Sequence, residues 1–400
     1  MASKFVYAIG TMDTKGVELD YVADCLRAAG IQVQVVDVGT GGLPMGQPDV
    51  TSNEVRGNAP DASYKSRAAA VTAMGEALKT YLLTEADAGR VSGVIGIGGS
   101  GGTALITPAM RSLAIGVPKV MVSTVASGNT APYVDCSDIT MMYSVVDVAG
   151  LNVVSRKVLG NAAHAMAGMV QHSVNAVAGA ATLGMTMFGV TTPCVDAVRK
   201  QLEMTGHQCL VFHATGTGGR AMEQLVESRM LNGVLDITTT EVADEVVGGV
   251  FPAGSQRFRK LVESGLPLVL SLGALDMVNF GAQETVPAQF SDRTFHVHNA
   301  QVTLMRTDAE ENRQIARWIA TRIRKTVSPM FVMIPELGLS ALDAPGQPFH
   351  DPDINAILFR ELEEHLKGYE ACQVVRVRQH INDRGFAESV VQHYNILASR

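Results

Sequence analysis

Positive charge, aromatic rings and paired cysteines are all scarce in this chain of 400 residues. Its 32 Lys and Arg are outnumbered by 39 Asp and Glu, and the formal net charge is −7. No basic stripe is left to displace counterions from nucleic acid or to grip an anionic membrane surface. Aromatics make up only 5% of the residues, which excludes a base-stacking platform. The cysteines (Cys25, Cys136, Cys194, Cys209, Cys372) form no CxxC pair, so a zinc ribbon or dithiol redox motif is excluded. Their odd number, and a start (MASKFVYAIG) without the long apolar core of a secretory signal, predict a cytoplasmic protein. Residues 158–195 lack Lys, Arg, Asp and Glu altogether. A spanning helix needs about twenty apolar residues. Asn161, His164, Gln171, His172 and Asn175 interrupt this run, so it reads as a buried soluble helix. Its small residues suit a subunit or domain interface.

What is present is glycine, placed with order. A chain of this length exceeds one core, since single cores stop growing near roughly 250–300 residues. Two domains are expected, 1–182 and 183–400. KFVYAIGT, KGVELDYVADCLRAAG and IQVQVVDVGTGG read as strand, amphipathic helix and strand, with Gly30 closing the helix. Continuous apolar strands alternating with helices mean a parallel sheet covered on both faces. MTMFGVTTPCVDAVRKQLEMTGHQCLVFHATGTGG repeats that grammar, and DVGTGG and ATGTGG end the two copies alike. The expectation is two doubly wound, Rossmann-like parallel-sheet domains of α/β class, related by internal duplication.

Five of the seven residues Gly96–Gly102 (GIGGSGG) are glycine, between a strand and a helix expected to start near Thr103. Open amides and the helix dipole at such a junction favour an anion, and glycine lets a phosphate approach the backbone. GIGGSG fits the dinucleotide fingerprint, but the next strand, VPKVMVST, ends without the acid that would hold a ribose. No GxxxxGK[ST] occurs. GGSGG also has the spacing of a hydrolase elbow, without a nameable triad partner. GTMDTKG, DVGTGG and STVASGNT should reach the same rim, because ligands sit beyond the carboxyl ends of such strands. Asp13 either caps its helix or faces a ribose or magnesium ion. Lys15 is either solvated or a phosphate clamp.

Six segments in order, AIGTMDTKG, GIGGSGGT, STVASGN, ALDMVNFG, TLMRT and PELGLSALDAPGQPFHDP, resemble the Tm-one-like ATP-binding family across essentially the whole chain. This is the family of the tomato protein that confers tomato mosaic virus resistance. The resemblance implies an ATP site in the N-terminal part, with magnesium, and a homodimer. The matching positions are Thr11, Asp13 and Thr14; Gly98, Gly99, Ser100, Gly101, Gly102 and Thr103; and Ser123, Thr124, Ser127, Gly128 and Asn129. The plant protein's antiviral activity does not follow from the resemblance.

The second half offers polar candidates at strand ends. His296 and His298 alternate on one strand face, suited to acid–base work, a metal, or a plain hydrogen-bonded pair. Arg306 can clamp a carboxylate or phosphate, or pair with the chain's own acids. Asp343 lies in a turn-rich segment. Cys194 follows Pro193 near a helix start, where a thiolate is favoured. The leading expectation is an ATP-binding protein, possibly an enzyme, whose second domain takes a small acidic metabolite. The alternatives are a nucleotide-regulated protein-binding module, and a hydrolase or lyase using the His296/His298 region without ATP.

Overall fold

A computed structural model describes residues 3–57, 66–172, 174 and 179–399. The chain divides into two units, Met1–Val177 and Ala178–Arg400.

The first unit is built on five parallel strands: β1 (Phe5–Gly10), β2 (Val33–Asp37), β3 (Val91–Gly98), β4 (Lys119–Ser123) and β5 (Thr140–Tyr143). Their order across the sheet is β2-β1-β3-β4-β5. The strands are apolar on both sides because both faces are covered. Helices α1 (Met12–Ala28) and, late in the unit, Val153–Gln171 bury Leu19, Val22, Leu159 and Met166 against one face. After the short α2 (Ser52–Arg56), helices α3 (Arg67–Asp87) and α4 (Ser100–Ser112) bury Met74, Leu78, Leu105 and Ile106 against the other. A short helix, α5 (Ala131–Val134), precedes β5, and Val153–Gln171 is therefore α6. β1 and β3 are neighbours in register (Ile9 beside Gly96), yet α1 and α4 leave toward opposite faces. That is a topological switch point, where a crevice opens beyond the carboxyl ends.

Three sequence expectations change here. The uncharged run does not need an interface to explain its burial: Leu159, Ala162, Ala163 and Met166 of α6 pack on α1 and this unit's own sheet, while Asn161 and His164 face outward. Asn175 lies outside the described residues. The Pro/Gly/Asn-rich segment between Gly42 and Ala62, long enough by its sequence for a functional flap or a dimer contact, places Val50 against the edge of β2 before α2 begins; positions 58–62 lie outside the described residues. Helix α4 starts at Ser100, with Gly99 as N-cap, rather than near Thr103.

The second unit carries six parallel strands: β6 (Thr182–Met187), β7 (Gln208–His213), β8 (Gly233–Thr238), β9 (Leu268–Gly273), then Met330–Pro335 and Cys372–Val377. Between β9 and the fifth strand lies a three-stranded antiparallel insert, β10 (Met277–Phe280), β11 (Phe295–Asn299) and β12 (Val302–Arg306), in the order β10-β12-β11. The fifth and sixth parallel strands are therefore β13 and β14. The large sheet runs β14-β13-β9-β8-β6-β7. Read from its first strand, it is wound as the first sheet is, with one strand more, and DVGTGG and ATGTGG follow the second strand of each. Helices α7 (Thr192–Met204), α8 (Gly218–Glu227), α9 (Thr240–Val247), α10 (Arg259–Glu263), α11 (Ala309–Ile323), α12 (Pro352–Leu366) and α13 (Arg384–Ala398) complete the unit. α7 and α13 cover one face with Val198, Leu202, Phe386 and Val390. The strand that carries His296 and His298, β11, pairs with β12 as a hairpin, with an irregular register between Val297 and Asn299.

Candidate functional site

A cleft of about 840 Å³ opens at the switch point of the first unit. Ligand pockets commonly span about 300–1,000 Å³. One wall is the turn after β1, with Thr11, Asp13, Thr14 and Lys15. The facing wall is the start of α4, from Gly99 to Gly102, and the loop after β2 (Thr40–Gly42) closes one end.

Local hydrogen bonds fix the first wall. Asp37, at the end of β2, accepts from the amides of Met12 (3.0 Å) and Gly39 (2.8 Å). The Asp13 carboxylate does not cap its helix; it accepts from the Gly41 amide at 3.0 Å and so ties the α1 turn to the glycine loop. Thr11 and Thr14 share a hydroxyl contact of 3.0 Å. Gly16 is glycine because the Met45 carbonyl lies where its Cβ would stand, 1.7 Å away. Lys15 interrupts the helix (φ −131°, ψ 15°) and lines the cleft without an ion pair among the described residues.

The second wall raises a different question. Within α4 the first main-chain bond runs from the Thr103 amide to the Gly99 carbonyl (2.9 Å), so the amides of Ser100, Gly101 and Gly102 precede the helix's own ladder. Gly99, Gly101 and Gly102 have no left-handed φ. A Cβ on Gly101 would meet nothing within 4 Å; on Gly99 it would meet only the Thr124 hydroxyl at 3.8 Å, and on Gly102 only the Ile97 carbonyl at 3.6 Å. The chain's own packing therefore does not require glycine at these three positions. Gly98 differs: its Cβ would press on the Gly102 Cα at 3.0 Å, so it serves the turn itself.

Seven of the expected positions line this cleft: Thr11, Asp13, Thr14, Gly99, Ser100, Gly101 and Gly102. Thr103 and Ser123 are buried behind it, their hydroxyls 2.6 Å apart, where they tie the α4 start to the end of β4. Ser127, Gly128 and Asn129 are exposed and outside the lining; the Asn129 side chain accepts from the Ala131 amide (3.2 Å). Sequence reasoning missed Ser66, Ala70 and Val71, at the start of α3, which form an apolar-to-polar side of the cleft. Their only signal is the serine N-cap, whose hydroxyl accepts from the Ala69 amide at 3.2 Å.

A larger hollow, about 940 Å³, lies at the opposite, amino-terminal ends of the first sheet. Its buried Lys119 is already held by the carbonyls of Ala114 (2.7 Å) and Val117 (3.1 Å) and by Asp138 (2.6 Å). Burial pushes that ammonium below its ordinary range. Lys119 is thus committed to the chain's own oxygens, and the other lysine in the lining, Lys4, is exposed.

In the second unit the expected groups do not converge on a ligand. His296 sits edge-on to Phe349, ring centres 6.4 Å apart, and His298 is exposed farther along β11. Among the described residues no cluster of three or more His, Cys, Asp or Glu could hold a metal. Arg306 is buried and already donates to the Phe349 carbonyl (2.8 Å), the Thr307 hydroxyl (2.9 Å) and Asn355 (2.7 Å). Asn355 in turn donates to Asp343 at 2.7 Å, and Asp343 also accepts from the Leu339 amide at 2.8 Å. These residues pin β12 to α12. Asp276, wholly buried, accepts from Ser340 (2.7 Å); burial and then the nearby Asp343 charge push it up to about 7. Cys194 is buried, which pushes its thiol up to about 12, so it is not an activated thiolate.

The glycine loop after β7 is occupied by the protein itself. Glu241 accepts from the Gly216 (2.8 Å) and Gly219 (3.2 Å) amides at the start of α8. Arg257 holds Glu241 (3.2 Å), Glu223 (2.9 Å) and Asp236 (2.7 Å) together. The place an anion would take in this copy is filled by a buried carboxylate.

Fold and cleft together define a two-domain, doubly wound α/β protein with an open switch-point crevice in its first domain. The chain belongs to the uncharacterised protein family UPF0261: the family's N-terminal domain matches residues 4–175 and its C-terminal domain residues 180–398. It is 50% identical over 401 residues to a UPF0261 protein of Rhizobium meliloti (strain 1021), covering 99% of this chain and 100% of that one. It is 46% identical over 417 residues to the ToMV resistance protein Tm-1(GCR237) of Solanum lycopersicum, covering 97% of this chain but 55% of the tomato protein. Among solved structures, UDP-N-acetylglucosamine 2-epimerase from Rickettsia bellii aligns with 63% of this chain and 78% of its own at 11% identity, with a TM-score of 0.24, too low to carry an argument. No described helix is long and apolar enough to cross a membrane.

Proposed function

We propose that the first domain binds ATP, with magnesium, in the switch-point cleft. The triphosphate lies against the Ser100–Gly102 amides, with Lys15 as a second source of positive charge and the Ser100 hydroxyl as a further donor. The observation that carries this reading is the room left at Gly99, Gly101 and Gly102. Within a helix alanine is favoured over glycine by up to about 1 kcal/mol, so Gly101 and Gly102, which have no steric reason to be glycine, point to a ligand against the backbone, whereas Gly99 is the N-cap, where glycine is ordinary. The hydroxyls of Thr11, Thr14 and Thr40 suit a ribose or metal-bound waters on the facing wall. Arg306 has no donor left for an acidic metabolite, so the proposal stays with the first domain. Isothermal titration with ATP–magnesium is the test: saturable binding is expected for the wild type, none for NAD at the same concentration, and none for Gly101→Val. Equal binding by that variant would overturn the reading.

A further inference from the structure

Because the two sheets are wound alike, each loop beyond a strand end has a counterpart in the other unit. β1, β2 and β3 correspond to β6, β7 and β8. GTGG follows both second strands, as Gly39–Gly42 and as Gly216–Gly219. Both third strands end one residue before an N-cap, Gly98 before Gly99 and Thr238 before Thr239. Counted from those caps, Gly101 and Glu241 hold the same place, the second residue of α4 and of α9.

The second copy therefore carries a carboxylate where the first has no side chain. From that place Glu241, wholly buried, reaches the GTGG loop and accepts from the Gly216 (2.8 Å) and Gly219 (3.2 Å) amides. A Cβ on Gly219 would collide with the Glu241 carboxylate, so this loop is shaped to the anion it holds. Arg257 balances the charge at 3.2 Å.

The first copy divides its loop amides differently. Asp37 takes Gly39 (2.8 Å) and Asp13 takes Gly41 (3.0 Å). Ala214 stands at the place of Asp37 in the second copy, which leaves Gly216 to Glu241. Among the described residues the Gly42 amide, counterpart of Gly219, has no hydrogen-bond partner. Gly42 and Gly101 are both exposed and both line the cleft, and the space at Gly101 is open. Lys15 lines the same cleft, where it supplies the balancing charge.

We propose that the ligand's phosphate takes, in the first unit, the seat that the Glu241 carboxylate fills in the second, bridging the start of α4 to the Gly42 amide. Resting on nucleotide binding in this cleft, this seat makes the Gly39–Gly42 loop a second anion-holding wall. One phosphate oxygen accepts from Gly42 while others face the α4 amides.

Amide NMR of the full chain with isotope-labelled glycine tests this. The Gly42 signal is identified by its loss in Gly42→Ala, whose Cβ meets Asp13 at an ordinary 3.6 Å. On saturation with ATP–magnesium the Gly42 amide proton is expected to move downfield. In Gly101→Glu without nucleotide, the introduced carboxylate moves it the same way, and ATP–magnesium then changes nothing. ATP–magnesium that binds by calorimetry yet leaves Gly42 unmoved overturns the seat and leaves nucleotide binding standing. A wild type that takes no ATP, while Gly101→Glu still moves Gly42, overturns the nucleotide and supports the seat. A Gly42 signal unmoved in both overturns the seat outright.

Discussion

Substituting valine for Gly101 separates the fold's needs from the ligand's. The position is helical, its φ is not left-handed, and no atom lies within 4 Å of an added Cβ. Helix propensity favours valine over glycine by about 0.3 kcal/mol, so stability should hold or rise slightly. The side chain must then occupy the cleft, since the cleft is the space that is open. A phosphate held by two or three main-chain amides gains about 1.5–3 kcal/mol from each such charge-assisted bond. Displacing it should cost at least 3 kcal/mol, or more than a hundredfold in affinity. The assay is paired: chemical denaturation for stability and calorimetric titration with ATP–magnesium for affinity. Unchanged stability with affinity within threefold of wild type would refute the reasoning, because the phosphates would then lie elsewhere. A destabilised variant would refute the claim that packing leaves the position free.

Other perturbations probe the second domain. Arg257→Met leaves Glu223, Asp236 and Glu241 buried without their cation; urea denaturation should show a loss of about 3–5 kcal/mol. Asp276 is raised from 3.8 to about 7 in the folded state. The folded protein thus binds the extra proton between those values, and this group's contribution to stability falls as pH rises from about 4 through 7, at up to about 1.4 kcal/mol per pH unit. Asp276→Asn should flatten that slope when urea midpoints are compared at pH 5 and pH 8; an unaltered slope would count against it. Cys194, with its thiol held near 12, should resist maleimide in the native protein at pH 8 and react only after unfolding, as mass spectrometry of the peptide will record.

The alternation of strands and helices was legible because both faces of each sheet are covered, which makes the strands continuous apolar runs. The glycine junction was legible because so many glycines in so few residues are rare outside turns. The helix start was misplaced by three residues, since glycine punctuates a chain without forbidding helical φ and ψ. α3 passed unread: Ala-rich and flanked by a serine, it has little apolar asymmetry to mark it. The duplication was visible in GTGG, but the fate of the second copy was not. Nothing in TTTEVADEVV says that the Glu241 carboxylate folds back onto Gly216 and Gly219, because that contact joins elements 22–25 residues apart. Arg306 and Asp343 looked like ligand groups for the same reason: polar residues at strand ends are as often internal struts, and only their partners distinguish the two. The His296/His298 pair dissolved once the strand proved to be an irregular hairpin edge.

The central claim is that the amides of Ser100–Gly102 receive the phosphates of ATP. Crystals of the full chain grown with ATP–magnesium test it most directly. The account predicts triphosphate density within hydrogen-bond distance of those three amides; a cleft without nucleotide, or a nucleotide bound at another place on the protein, would contradict it.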